Sequence, residues 1–188
     1  MGKETIMLDD IEFEVLAEIE WEDDRNNKVY YIIYSADALE QGYYESLSIV
    51  PTSEENMYCI LADDEFVNIL STKVQKCFLL HEIGHMELGH SHSKDEEEKY
   101  LQDRIEYALS GKVAPVELEA DEYMFEMADR EDIEEFISYS KRLFEFETSM
   151  FEKIKNNLSP EDYRAIEASI KEFDLRRAHL EELLAASL

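Results

Sequence analysis

The sequence is poor in cysteine and in long apolar runs. Two of its 188 residues are cysteine, Cys59 and Cys77, too few for a disulfide-stapled secreted scaffold and typical of a reducing compartment. No run of about 18 apolar residues occurs, so we expect no membrane-spanning helix. The first residues also lack the basic region and apolar stretch of a secretory signal. These absences predict a cytoplasmic protein.

Basic residues are scarce as well. Eighteen Lys and Arg against 46 Asp and Glu give a net charge of −28. Such a chain repels phosphate backbones and anionic lipid, which argues against nucleic-acid and membrane binding. The same charge attracts basic proteins, although it also serves solubility. Apolar residues still make up 45% of the chain, so we expect a folded core and one domain with room for an appendage.

The N-terminal third is typical of strands. Residues 11–21 alternate between apolar and mostly acidic side chains, which is the period of a strand with one exposed face. Turn formers at 23–27 and a β-rich run at 29–34 predict a hairpin. A further strand is predicted at 58–61. Together these segments predict a small N-terminal antiparallel sheet.

After residue 64 the apolar spacing becomes helical. Ser71 or Thr72 can cap a first helix that ends near residue 89. Ser93 and Glu96 match a capping box for a second helix to about residue 109, and Pro115 can open a third to about residue 127. Two apolar stripes, broken near residues 156–160, predict a C-terminal helical hairpin. We therefore predict an α+β fold divided into residues 1–130 and a hairpin at 131–188, a possible recognition or dimerisation element.

One motif carries chemistry. Residues 81–85 read His-Glu-Ile-Gly-His, which places His81 and His85 one helical turn apart on one face, where both can bind one zinc ion. Glu82 can act as the base toward a water at the metal. Gly84 costs about 1 kcal/mol against alanine inside a helix, which fits a close approach by another backbone. The apolar flanks of the motif argue against an exposed helix.

A catalytic zinc site needs a third protein ligand and an open position. His90 is one residue away from the metzincin position, so we expect His90 and His92 in solvent or beside a ligand. Glu117 and Asp121 lie four residues apart on the third helix, so Glu117 can bind zinc while Asp121 accepts the N–H of a zinc-bound histidine. Glu119 is kept as a reserve ligand.

These segments resemble a known family. Phe-Leu-Leu-His-Glu-Ile-Gly-His-Met-Glu-Leu-Gly-His at 78–90, followed by Glu-Leu-Glu-Ala-Asp-Glu-Tyr at 117–123, is similar to the pattern of ImmA/IrrE gluzincin metallopeptidases. The resemblance covers about residues 57–128. It implies that residues 1–130 form a minimal zincin metallopeptidase domain, with a zincin-type active-site helix packed on the sheet. The helix-turn-helix domain often joined to such proteins is not apparent in this sequence.

The resemblance also implies roles for individual residues. His81, His85 and Glu117 would bind zinc, Glu82 would be the general base, and Asp121 would support a ligand histidine. The implied function is cleavage of a regulatory protein, often a phage or mobile-element repressor, in a bacterial cytoplasm. Such repressors are basic DNA-binding proteins, which suits the negative charge of this chain.

Several alternatives stay open. The chain can instead be a non-catalytic acidic binding protein, an antirepressor or DNA mimic, with a structural or vestigial zinc site. A purely structural zinc site is less favoured, since such sites prefer four Cys or His ligands. Tyr107, Tyr123 and His179 are candidate proton donors to the oxyanion. Cys77 is interpreted as a small core residue.

Overall fold

The computed structural model describes residues 5–8, 11–22, 28–34, 47–51, 57–63, 67–90 and 94–187. Strands come first along the chain and helices follow, and the helices contain most of the described residues. This segregation is the α+β arrangement. The predicted cap at Ser93 lies outside the described residues.

Five strands form one sheet. They are β1 (Thr5–Leu8), β2 (Ile11–Glu22), β3 (Lys28–Tyr34), β4 (Leu47–Pro51) and β5 (Met57–Asp63), in the order β1-β2-β3-β5-β4. Our prediction of a purely antiparallel sheet was wrong, because β3 and β5 pair in parallel. The chain passes from β3 to the outer strand β4 and then returns antiparallel to it as β5, between β4 and β3. The resulting sheet is mixed.

Five long helices follow the sheet: α1 (Thr72–Glu87), α2 (Lys94–Leu109), α3 (Pro115–Met127), α4 (Arg130–Ile154) and α5 (Pro160–Ala186). Ser71 caps α1 by accepting a hydrogen bond from the Val74 N–H, and Pro115 stands in the first turn of α3. Gly111, just beyond α2, has a φ of +77°, a conformation that favours glycine and ends the helix there.

The last two helices form an antiparallel hairpin. Phe151 and Tyr163 contact each other near the link, with ring centroids 5.1 Å apart and the rings tilted by 51°, while Phe136 and Leu180 share a core far from it. The hairpin shares one core with the helices before it, and the buried members of this core are Leu70, Val74, Cys77, Met124, Ile133, Phe136 and Leu180. Residues beyond 131 therefore complete the core around α1 and α3.

The sheet and α3 both pack against α1. Ile83 and Met86 of α1 cluster with Ile60 of β5. On the α3 side, a Cβ at Gly84 would lie 3.2 Å from the Cα and O atoms of Ala120 and 3.1 Å from the Tyr123 Cβ. The backbone approach predicted at Gly84 is therefore present, and it brings α3 close to the histidines of α1.

Candidate metal centre

Three predicted ligands meet between α1 and α3. The Nε2 atoms of His81 and His85 lie 3.0 Å apart. The Glu117 carboxylate lies across from them, with Oε2 3.5 Å from His81 Nε2 and Oε1 3.6 Å from His85 Nε2. One ligand atom from each residue falls within 4.8 Å of the others. His81 and Glu117 are buried, and His85 is half-buried.

The spacing and chemistry of these atoms fit a zinc ion. Zinc bonds to nitrogen and oxygen are about 2.0–2.2 Å long, so tetrahedral ligand atoms lie roughly 3.3–3.5 Å apart. The two Nε2 atoms are 3.0 Å apart, and each lies 3.5 or 3.6 Å from its nearer Glu117 oxygen, distances close to this value. Two imidazoles and one carboxylate also form the donor set of catalytic zinc sites that keep one position open. The group could therefore hold a metal ion, and its donor types suit zinc.

Asp121 supports His81 from the side away from His85. Its Oδ1 lies 2.9 Å from His81 Nδ1, and the side chain is fully buried. A carboxylate at Nδ1 keeps the proton there and leaves Nε2 free to bind a metal. Asp121 thus lies next to His81, a candidate ligand, and one helical turn from Glu117.

An arginine from the C-terminal hairpin also enters the site. Arg176 of α5 donates to Glu117 Oε2 at 2.8 Å and to both Asp121 oxygens at 2.7 and 2.8 Å. Its Nη2 lies 3.1 Å from each ring nitrogen of His81. A single guanidinium therefore bonds two buried carboxylates and offsets part of their negative charge, and one of the two is a candidate metal ligand.

Helix α2 supplies further contacts to Glu117. The Tyr100 hydroxyl donates to Glu117 Oε1, and Arg104 Nη1 lies 3.6 Å from the same oxygen. Arg104 also donates to Glu172 of α5, with Nη2 2.8 Å from Oε2. Helix α2 thus contributes a phenol and a cation to the site.

His90 lies beside His85 and is not in the ligand group. Its Nδ1 is 3.2 Å from His85 Nδ1, whereas the candidate ligand atom of His85 is the other ring nitrogen, Nε2. Its Nε2 is 2.9 Å from Glu119 Oε2. Glu119, the reserve ligand, therefore contacts His90 and is absent from the ligand group of the described residues.

The charges of the site set the protonation of its members. Burial and the Arg176 charge disfavour a proton on His81, but Asp121 and Glu117 outweigh them and raise the pKa of His81 to about 9. Burial and the neighbouring His81 lower the pKa of His85 to about 3. Burial disfavours ionisation of Glu117, yet Arg176 and His81 hold the pKa of its carboxyl well below its usual range. At neutral pH His85 is thus ready to bind a metal, which would displace a proton from His81.

Glu82, the predicted base, follows His81 directly on α1 and is half-buried. Of the candidate oxyanion donors, Tyr107 is exposed, Tyr123 packs beside Gly84, and His179 Nε2 lies 3.3 Å from Glu122 Oε1. The Tyr100 phenol, which was not among these candidates, contacts the candidate ligand Glu117.

Sequence reasoning missed Tyr100, Arg104 and Arg176. One signal for Arg176 was available, because Arg176 and Arg177 interrupt the apolar stripe of the last helix. A cation at the edge of a core-facing stripe indicates a buried carboxylate opposite it. Arg177 instead bonds Asp174 and Glu181 on its own helix. The contact of Arg176 with α3 depends on how the C-terminal hairpin folds back onto α3, and no local sequence pattern predicts that packing.

No protein-family model, curated protein or solved structure matches the chain. The ImmA/IrrE resemblance therefore stays a prediction from the two motifs. None of the helices in the described part of the chain is long and apolar enough to cross a membrane.

Proposed function

We propose that the protein is a cytoplasmic zinc-dependent peptidase that hydrolyses peptide bonds of a regulatory protein, with a zincin-type helix at its centre. The observation that supports this most directly is the buried convergence of His81 Nε2, His85 Nε2 and the Glu117 carboxylate. Zinc bound there would polarise a substrate carbonyl and lower the pKa of water toward neutrality. The ImmA/IrrE resemblance points to the same class.

Each residue has a role in this proposal. His81, His85 and Glu117 would hold the metal, and Asp121 would fix the His81 ring through Nδ1. Glu82 takes a proton from the attacking water and delivers it to the leaving amine. Arg176 offsets the negative charge of Glu117 and Asp121, so the carboxylates remain ionised while buried.

The substrate in this proposal is a basic protein, for example a DNA-binding repressor from a phage or mobile element. The chain carries a net charge of −28, and a field of that sign raises the rate of encounter with a basic partner. Both cysteines are buried free thiols, which suits a reducing cytoplasm.

The first test is metal content by elemental analysis. We expect about one zinc per chain in the wild type and a large loss in Glu117→Ala. The exposed Glu126 on the same helix provides a matched control, and Glu126→Ala should keep its zinc. Absence of zinc from the reconstituted wild type would overturn the proposal.

The second test concerns catalysis. Zinc-loaded protein is incubated with a proteome-derived peptide library, and new amino termini are identified by mass spectrometry. We expect cleavage by the wild type and none by Glu82→Gln, which should retain metal and fold. Glu87→Gln removes a carboxylate of the same helix outside the ligand group and should cleave normally. Equal cleavage by Glu82→Gln would exclude Glu82 as the base.

Arg176 favours a second candidate function. Since its guanidinium bonds Glu117 and Asp121, the site contains an internal cation that offsets carboxylate charge without metal. The protein would then be a non-catalytic acidic antirepressor or DNA mimic with a structural or vestigial zinc site. A panel of basic repressors on operator DNA separates the two: release of intact repressor by both wild type and Glu82→Gln supports the binding function.

A further inference from the structure

We propose that His90 and Glu119 are positioning residues that hold His85 in the tautomer able to bind metal. This inference rests on the metal-binding part of the proposed function. Neither residue belongs to the candidate ligand group. His90 lies in the turn after α1, and Glu119 lies on α3.

The side chains of His85, His90 and Glu119 contact one another in series, leading away from the candidate ligand group. His85 presents Nε2 to His81 and Glu117, and its Nδ1 lies 3.2 Å from His90 Nδ1. The other nitrogen of His90, Nε2, lies 2.9 Å from Glu119 Oε2. The sequence of contacts is therefore ligand nitrogen, imidazole, second imidazole and carboxylate.

Only one placement of protons satisfies every contact when His85 binds metal. Its Nε2 must be bare, so its proton is on Nδ1 and is donated to His90 Nδ1. The proton of a neutral His90 is then on Nε2 and is donated to the Glu119 carboxylate. The reverse placement would put a proton on His85 Nε2 and turn a lone pair of His90 toward a negative oxygen. Glu119 thus favours the binding tautomer.

The backbone holds His90 in place for this contact. Gly89 follows α1 with a φ of +73°, which turns the chain sharply. The His90 N–H then donates to the His85 carbonyl oxygen at 2.8 Å. The His90 side chain is 9% exposed while that of Glu119 is 56% exposed, so His90 should contribute more than Glu119. Asp121 does the same for His81 directly, without an intervening ring.

The experiment measures zinc affinity by competition with a chelator for the wild type, His90→Ala, Glu119→Gln and the double variant. Outer partners of ligand histidines are typically worth about 10- to 100-fold in metal affinity. We expect a loss in this range for His90→Ala and a smaller loss for Glu119→Gln. If Glu119 acts through His90, Glu119→Gln adds no further loss in the His90→Ala background. The control Glu126→Gln should bind zinc as the wild type does.

Cobalt(II) absorption provides a readout that a general loss of stability would not move. All single variants should retain the visible bands of the wild type, since the ligand atoms are unchanged.

Unchanged affinity in His90→Ala or additive losses in the double variant would overturn the inference. Weaker binding together with altered cobalt bands would mean that His90 is itself a metal ligand, and this result would also overturn the inference. If His90→Ala does not fold, His90→Gln replaces it, because its amide oxygen can still accept from His85 and should restore part of the affinity. A wild type that binds no zinc would refute the proposed function itself.

Discussion

At the scale of a single residue, Arg176 determines the electrostatics of the ligand group. Its guanidinium bonds Glu117 and Asp121, both of which are almost completely buried. Removing one member of a buried, hydrogen-bonded charge cluster typically costs about 3–5 kcal/mol, because the remaining charges stay unpaired in a poorly solvated environment. A divalent cation at the same carboxylates would compensate for that loss.

We therefore predict that Arg176→Met is much less stable than the wild type without metal and gains more stability from zinc. Denaturant unfolding with EDTA and with zinc measures both quantities. Arg177→Met is the matched control, since Arg177 pairs with Asp174 and Glu181 along its own helix and should cost about 1 kcal/mol or less. A zinc gain in Arg176→Met no larger than in the wild type would contradict this account.

Cys77 gives a prediction about pH. Burial raises the pKa of its thiol from 9.0 to about 12, with the Asp132 charge adding to the shift. The folded protein thus favours the neutral thiol. This contribution to stability is complete below pH 9 and is lost as the pH rises toward 12. A neutral buried thiol is also a poor nucleophile.

Iodoacetamide labelling at pH 8.5, followed by mass spectrometry, tests this expectation. Cys77 should remain unmodified in the folded protein and react when the protein is unfolded in urea. Comparable labelling in both states would show that the thiol is accessible or ionised, and would revive a role for it in chemistry.

At the scale of elements, the contact between α1 and α3 sets the geometry of the ligands. Gly84→Ala adds a Cβ within 3.1–3.2 Å of Ala120 backbone atoms and the Tyr123 Cβ. Two of these atoms belong to the α3 backbone and cannot move without the helix, so α1 and α3 must separate. Overpacking of this kind lowers the free energy of unfolding by about 1–3 kcal/mol. The higher helix propensity of alanine offsets about 1 kcal/mol of this loss. Because Ala120 lies between Glu117 and Asp121, separation also moves Glu117 away from the histidines.

We expect Gly84→Ala to be destabilised by up to about 2 kcal/mol and to bind zinc more weakly. Unfolding in urea and chelator competition measure the two effects. Gly111→Ala is the control: its φ of +77° makes it strained, but nothing lies within 4 Å, so it should lose stability and keep its zinc affinity. Full stability and affinity in Gly84→Ala would mean that the helices can separate freely.

The helices were predictable to the extent that their signals are local. Ser71 and Pro115 determine where α1 and α3 begin, and the His81–His85 spacing depends only on helical geometry. The parallel pairing of β3 with β5 was not predictable in this way, because an alternating pattern defines a strand but not its partner. Strands β1 and β4, which we did not predict, are only four and five residues long.

At the scale of the whole molecule, the site joins distant parts of the chain. His81 and Arg176 are 95 residues apart in sequence, and Leu180 of the same helix packs with α1 and α3 in the main core. The hairpin of residues 131–188 therefore cannot be removed without exposing that core and leaving Glu117 and Asp121 without Arg176. Point variants such as Arg176→Met are for this reason a better test of the hairpin than truncation.

The net charge of −28 leads to a final prediction for the entire chain. Self-repulsion of such a charge destabilises the compact state, and salt screens it within about 10 Å at 0.1 M ionic strength. Raising NaCl from about 10 mM to about 0.5 M should therefore increase the melting temperature by at least about 3 °C, which corresponds to about 1 kcal/mol for a chain of this size. Choline chloride should act equally, because screening depends on ionic strength. A fall in melting temperature would mean that attractive ion pairs such as Lys76–Asp132 outweigh the repulsion. The surface charge would then be too well compensated locally to attract a basic partner.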